Sequence, residues 1–256
     1  MLTRCKKMLI KNSQLGFRKG RSCLTNLLTF LDTGSVDSGE SVDTVFLDFA
    51  KAFDKVPHKR LALKLVCHGI AGKVLAWIVE WLRDRAQRVC INGIKSSWLE
   101  VLSGVPQGSI LGPIIFLIYI NDLDNGITNW ILKFADDTKI FSAVRSDTDC
   151  AKLQEDLNTL LQWSREWQML FNVSKCKVMH AGRNNALQEY EMEGQTPEEV
   201  QHERDLGVII SKDMKASQQC QQAFSKAGKM LGIINRTVDY KSKEVLLKLY
   251  LSLIHI

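Results

Sequence analysis

Two adjacent carboxylates, Asp136 and Asp137, sit between short apolar flanks in KFADDTKIF (residues 133–141). Such a pair serves either a solvated turn, because Asp tolerates turn geometry and bonds its own backbone, or a divalent-metal site, because hard cations take clustered carboxylate oxygens. A second constellation stands in FLDFAKAFDKVP (46–57), where Asp48 closes an apolar run and Asp54 follows six residues on. A charge at the end of an apolar strand is costly to bury unless it is paired or bound to metal. Asp54 reads more simply as a helix cap or a surface residue. A third stretch, SGVPQGSILGP (103–113), sets three glycines and two prolines ahead of an apolar helix. A helix start of this kind presents backbone donors to a phosphate or a nucleotide. A plain turn from strand to helix would not need Gln107 between residues of special geometry.

The elements that must position these groups follow from periodicity. VDTVFLDF (42–49) is rich in β-branched and aromatic residues and predicts a buried strand with Asp48 at its end. WILKFADDTKIFSAV (130–144) predicts strand, tight turn, strand, with the Asp pair at the turn. KRLALKLVCHGI (59–70) and GKVLAWIVEWLRDR (72–85) predict helices, the second with Leu75, Ile78 and Leu82 at helical spacing. In RVCINGIKSSWLEV (88–101), Asn92-Gly93 favours a type I′ hairpin. Further helices are expected over about 112–122 and over 147–169, the latter with Leu153, Leu157, Leu160, Leu161 and Trp167. KCKVMHAG (175–182) and DLGVII (205–210) predict strands, and helices near 216–236 and 242–253 close the chain. The polar stretch 183–202 is the best linker candidate. Strands mixed with helices without strict alternation argue α+β or mixed α/β.

A chain of 256 residues, 45% apolar and 24% charged, suits an ordinary globular protein. The net charge is +6, and no acidic residue precedes Asp32, whereas Arg4, Lys6, Lys7, Lys11, Arg18, Lys19 and Arg21 all do. That basic leading segment suits a polyanionic partner or a solvated surface. The seven cysteines are scattered without a CxxC pair, which speaks against a structural zinc site and for a reducing compartment. MLTRCKKMLIKN has no apolar core of signal-peptide length, and the longest apolar run (114–120) is too short to span a bilayer. A soluble intracellular protein without a membrane partner is expected.

FLDFAKAFDKVPH, SGVPQGSILGP and KFADDTKIF, in this order and spacing, resemble the reverse transcriptases of non-LTR retrotransposons, close to the jockey and chicken-repeat groups. NSQLGFRKGRSCLTNL (12–27) resembles the family's fingers motif, and NVSKCKVMHAGRN (172–184) and RDLGVIIS (204–211) its later palm motifs, so the likeness covers roughly 12–250. The resemblance implies an α+β fold, a right-hand polymerase palm with an antiparallel sheet packed on helices. It implies partial fingers over 1–41, a palm with inserted helices over 42–211, and the start of a thumb over 212–256. The implied activity is RNA-directed DNA polymerisation, with two divalent ions about 3.5–4 Å apart. Asp48 and Asp136 are the implied ligands, with Asp137 as third carboxylate and the Phe49 carbonyl contributing; Mg2+ is the ion and Mn2+ a substitute. Phe53 matches the sugar-contact position, where a ring clashes with a ribose 2′-hydroxyl, or else it is a core residue. Gln107 and Gly108 match the loop that touches template and nucleotide. Arg18 and Arg21 match phosphate contacts, and Lys175 a lysine that protonates departing pyrophosphate. The implied partners are an RNA template, a DNA primer and deoxynucleoside triphosphates, in nucleus and cytoplasm.

The chain also departs from the family. Relatives carry an upstream fingers segment with an arginine that helps hold the triphosphate, and an endonuclease region. They also continue past the point where KLYLSLIHI diverges. The chain therefore reads as a piece of a polyprotein, expected to bind nucleic acid weakly and to polymerise poorly or not at all by itself. Two alternatives stand beside the polymerase: an inactive remnant that only binds nucleic acid, and a metal-dependent hydrolase using the same carboxylates. The Gly-Pro-Gln-Gly loop and the basic first segment speak against the hydrolase.

Overall fold

The computed structural model describes residues 10–33, 40–240 and 242–254. Arg4, Lys6 and Lys7 of the basic leading segment lie outside the described residues. In chain order the first elements are α1 (Cys23–Thr33), β1 (Val42–Leu47), α2 (Ala52–Lys55), α3 (His58–Cys67) and α4 (Gly72–Leu82). Four two-residue strands follow, β2 (Ala86–Gln87), β3 (Cys90–Ile91), β4 (Ile94–Lys95) and β5 (Leu99–Glu100), then α5 (Leu111–Tyr119). Next come β6 (Trp130–Phe134), β7 (Asp137–Ala143), α6 (Asp147–Trp167), β8 (Lys177–Ala181) and β9 (Glu198–Glu199). The chain ends with β10 (His202–Asp205), β11 (Val208–Ser211), α7 (Ser217–Thr237) and α8 (Lys243–Ile254).

β1 is the centre of the sheet. Its β-branched and aromatic residues are buried, save the half-buried Phe46, which suits a strand with neighbours on both sides. The sheet order is β6-β7-β1-β8-β9. β1 runs antiparallel to both β7 and β8, β6 antiparallel to β7, and β9 parallel to β8. The leucines expected on α6 (Leu153, Leu157, Leu160 and Leu161) are all buried in one cluster with Val45, Leu47 and Ile140 of the sheet. Leu61 and Leu65 of α3 and residues 115–119 of α5 join the same cluster. α6 stops at Gln168, whose left-handed backbone (φ 56°, ψ 35°) closes the helix. The α+β palm is as expected, and so is the β3–β4 hairpin, with left-handed Asn92 (φ 49°) and Gly93 (φ 84°) at its turn.

Three features depart from the sequence reading; one is DLGVII (205–210), expected as a single strand but turned at Leu206–Gly207 between β10 and β11. α1 directly follows the basic segment and was not foreseen. Its signal is a reciprocal cap: Ser22 N–H donates to Thr25 Oγ1 at 2.7 Å and Thr25 N–H to Ser22 Oγ at 3.3 Å. The polar stretch 183–202 is not a linker. Tyr190 and Met192 within it are buried, and β9 adds a strand to the sheet. Asp43, fully buried in β1, explains the anchoring: its carboxylate accepts from Tyr190 Oη at 2.6 Å and from Asn185 Nδ2 at 2.7 Å, with His180 Nδ1 at 2.7 Å. A buried carboxylate must be met by donors, and Tyr190 is one of three. Tyr190→Phe, which orphans part of that carboxylate, should cost about 1–3 kcal/mol of unfolding free energy by urea titration. An unchanged midpoint would return 183–202 to the status of a loosely attached strap.

Contacts divide the chain at Gln201 and His202 into two units. In the second, β10 and β11 form a hairpin through left-handed Leu206 and Gly207. The first turns of α7 lie on it, with Ile209 N–H donating to Gln219 Oε1 at 3.0 Å and Arg204 Nη2 to Gln222 Oε1 at 2.7 Å. Among the described residues no helix is long and apolar enough to cross a membrane.

Candidate active site

The β6–β7 hairpin turns on two residues. Phe134 pairs with Asp137, so Ala135 and Asp136 form the turn, and Ala135 is left-handed at φ 56°. The last pair between β1 and β7 is Leu47 with Thr138, so one step on, Asp48 stands across from Asp137. Asp48 and Asp136, 88 residues apart in sequence, are thereby neighbours. Their charges are felt: burial raises the Asp136 carboxyl above the usual carboxylate range and the Asp48 charge pushes it the same way, against a backbone hydrogen bond at Asp136 itself. Asp137 is exposed at the start of β7. Among the described residues no group of three or more His, Cys, Asp or Glu side chains gathers.

Asp48 is held by its backbone and left open at its side chain. Its carbonyl accepts from Asn172 N–H at 2.7 Å, and the next residues run beside Phe171, with Ala50 N–H donating to Leu170 O at 2.9 Å. Phe49 is buried, its ring stacked on Phe171 at 4.5 Å, so any share it takes in the site comes from its backbone. The Oδ2 atom of Asp48 is buried and accepts no hydrogen bond. Lys175 Nζ lies 3.6 Å from it, an ion-pair contact beyond hydrogen-bonding distance, with 68% of the lysine side chain exposed. Cys176 follows, its thiol pushed up to about 11 by burial. An orphaned carboxylate oxygen beside a second, repelling carboxylate is an all-oxygen donor set that fits a hard divalent cation.

Phe53 and the glycine loop form a second wall. Phe53 is half-buried and stacks on Phe116 of α5 at 4.2 Å. The loop is stitched to the Phe53–Val56 turn: Val105 N–H donates to Phe53 O and Gly104 N–H to Val56 O, both at 2.8 Å, and Ser103 Oγ donates to Asp54 O at 2.8 Å. Gly104, at φ +91°, passes so close that a Cβ would lie 2.8 Å from Asp54 Cα and from the Phe53 carbonyl oxygen. His58 Nε2 meets the Gly104 carbonyl at 2.8 Å. Gln107 is exposed and donates from Nε2 to Asp54 Oδ1 at 3.1 Å; Gly108 beside it turns at φ +79°. Asp54, read from sequence as a plain cap or surface residue, therefore holds Gln107. The helix start is less open than the sequence suggests, because Gly112 N–H already donates to Ser109 Oγ at 2.9 Å.

Arg18 is half-buried and donates from Nη1 to Lys11 O at 2.9 Å and Gln14 O at 3.0 Å, which closes its own loop. Arg21 is exposed. Two further residues carry the hairpin and had no sequence signal. Asp156 of α6 accepts from the backbone N–H groups of Thr128 at 3.0 Å and Asn129 at 2.8 Å, fixing the approach to β6. Lys133 of β6 is fully buried, with Nζ 3.3 Å from Asp124 Oδ1 and from the carbonyl oxygens of Ile120 and Asn121. Burial lowers its ammonium to about 8 from 10.5, against the opposing pull of Asp124. Between those values the unfolded chain binds more protons than the folded one, so this lysine's contribution to stability rises with pH. The stability of wild type relative to Lys133→Met should increase by roughly 3 kcal/mol between about pH 8 and 10.5, read from urea midpoints. A flat difference would mean that the ammonium is not desolvated.

A family model described as reverse transcriptase (RNA-dependent DNA polymerase) matches residues 1–234. The chain belongs to the reverse transcriptase family. The chain is similar to the RNA-directed DNA polymerase from mobile element jockey of Drosophila melanogaster, 28% identical over 214 residues, which are 78% of this chain and 23% of that protein. The probable RNA-directed DNA polymerase from transposon X-element of the same species is 29% identical over 170 residues, covering 63% of this chain and 19% of that one. These relatives bear out the resemblance to non-LTR retrotransposon enzymes. The chain spans less than a quarter of the length of the relatives it matches. Among solved structures, the telomerase of Candida tropicalis in complex with a fragment of telomeric RNA superposes with a TM-score of 0.57 at 12% identity, over 85% of this chain and 36% of that one. Such a likeness shows the fold, a reverse transcriptase palm.

Proposed function

We propose that this chain carries the polymerising site of an RNA-directed DNA polymerase, adding deoxynucleotides to a DNA primer on an RNA template. The observation that carries the reading is the closeness of Asp48, just past the end of β1, to Asp136 in the β6–β7 turn, with one Asp48 carboxylate oxygen buried and without a hydrogen bond. Those two side chains, with Asp137 and the Phe49 carbonyl on the fuller reading, would hold magnesium (two ions, manganese substituting), which would supply charge stabilisation for an in-line displacement. The protein's own groups do the rest. Lys175, beside Asp48, is placed to give a proton to departing pyrophosphate. Phe53, rigid on Phe116, walls the sugar position. Gln107, fixed by Asp54, and Gly108 offer a template and nucleotide contact at the loop. Arg21 and the outer face of Arg18 suit phosphate oxygens. On this reading residues 1–41 belong to partial fingers, 42–211 to the palm and 212–256 to the start of a thumb.

The test is addition of one nucleotide. Purified chain is given a DNA primer annealed to RNA, a divalent cation and each deoxynucleoside triphosphate in turn. Growth of the primer by the single complementary residue, however slow, is the expected result. A primer that shortens indicates the hydrolase, and one that is bound yet never lengthens indicates a binding remnant; either sinks the proposal.

A further inference from the structure

The turn that carries Asp136 is not held by its hairpin alone. Residues 13–15 run alongside β6, with Lys133 N–H donating to Ser13 O and Leu15 N–H to Lys133 O, each at 2.8 Å. Between them Gln14 bridges Lys133 in parallel fashion, and its side chain, in a residue only 1% exposed, turns to the next residues of the hairpin. Its Oε1 accepts from Ala135 N–H at 2.9 Å and from Gly16 N–H at 2.8 Å, while its Nε2 donates to Ala135 O at 3.2 Å. One amide thus grips both backbone groups of the residue before Asp136. Gly16 completes the grip by close approach: a Cβ there would stand 2.4 Å from Ala135 N and 3.0 Å from Phe134 C. The gripping strand is itself anchored on the far side, through Ser13 Oγ to Asp124 Oδ2 at 2.7 Å and Lys11 N–H to Asn121 Oδ1 at 2.8 Å.

The turn needs outside help. Two-residue hairpins favour Gly or Asn where φ is positive, and here the left-handed position is an alanine, at φ 56°. In that region the alanine Cβ crowds the following carbonyl oxygen, so the turn's own residues do not select the conformation they adopt. A buried amide satisfied at both ends does select it, because any other turn leaves its polar atoms unmatched.

We propose that Gln14 is a positioning residue for the polymerising site: its amide locks Ala135 left-handed and so sets the direction in which Asp136 faces Asp48. The proposal rests on the metal reading of that pair, and adds a residue 122 positions upstream of the carboxylate that it aims. Gln14 touches neither substrate nor metal and acts through the backbone of Ala135.

The test uses the whole 256-residue chain and two readouts that do not require turnover. The first is amide exchange at Ala135 in metal-free protein, which should quicken in Gln14→Met. The second is Mn2+ affinity by electron paramagnetic resonance, which should fall roughly 10-fold, as when a supporting partner of a metal ligand is lost. Leu153→Ala, in the buried face of α6, serves as a control for loss of stability alone and should leave both readouts in place. Adding Ala135→Gly to Gln14→Met should restore part of the Mn2+ affinity, because glycine takes the left-handed turn unaided; a packing role for Gln14 would not be rescued in this way. Gln14→Asn, polar but too short to span both partners, replaces the methionine variant if that one does not fold. Unchanged Mn2+ affinity and unchanged Ala135 exchange, in a wild type whose Mn2+ binding needs Asp136, overturn the proposal and leave the metal reading standing. Mn2+ binding that ignores Asp136→Asn sinks the metal reading instead, and the positioning proposal with it.

Discussion

Asp136→Asn should abolish RNA-templated nucleotide addition, by at least roughly 1000-fold, and at the same time make the metal-free protein more stable. The loss follows from removing one of two carboxylates across which the charge of a two-ion transition state is spread, each such electrostatic contact being worth several kcal/mol. The gain follows from the sign of the Asp136 shift. Its carboxyl is raised by burial and by Asp48, so the folded state binds this proton more tightly than the unfolded one. Stability therefore grows as pH falls through the raised value, and the Asp136 charge opposes folding above it. An amide removes the charge, and stabilising replacements at strained sites commonly add about 0.5–2 kcal/mol. Thermal unfolding without and with Mg2+ reads both effects: the variant should melt higher than wild type without the ion and gain nothing from adding it. A variant that melts lower without metal, or that keeps a tenth of the parental activity, contradicts the ligand role.

Phe53→Val should raise the use of ribonucleotides relative to deoxyribonucleotides by about 100-fold, the equivalent of ~2.7 kcal/mol in transition-state discrimination. Phe53 is five residues past Asp48 in sequence. It is half-buried, with its ring fixed on Phe116 at 4.2 Å. A fixed ring resists a 2′-hydroxyl because it has nowhere to turn, and valine opens that space. Part of the cost is packing, since loss of the stacked contact should lower stability by about 1 kcal/mol. The kinetic ratio separates the two roles: competition between ribo- and deoxyribonucleoside triphosphates is insensitive to how much protein is folded. An unchanged ratio would leave Phe53 as a core residue.

Local signals raised the candidates for this site, and the family resemblance supplied their roles. A charge at the end of an apolar run marked Asp48, a two-residue turn between alternating strands marked Asp136, and glycines at fixed offsets marked the loop that holds Gln107. Each signal lies within about a dozen residues. What the sequence did not reveal depends on partners far apart in the chain. Gln14 is one polar residue in a basic segment, and its role exists only because Ala135 lies 121 residues away. Asp43 and Tyr190 are separated by 147 residues, and the polar setting of Tyr190 masked an anchor as a linker. Asp156 sits on the face of an amphipathic helix as any solvated carboxylate would, until the loop at Thr128 and Asn129 folds over it.

The most direct measurement is a Mn2+ titration followed by electron paramagnetic resonance on wild type, Asp48→Asn and Asp136→Asn. The account expects binding in the wild type that is displaced by Mg2+ and lost, by tenfold or more, in each single variant. Equal binding by all three proteins would show that these two carboxylates do not form the metal site, and the polymerase reading would lose the observation on which it stands.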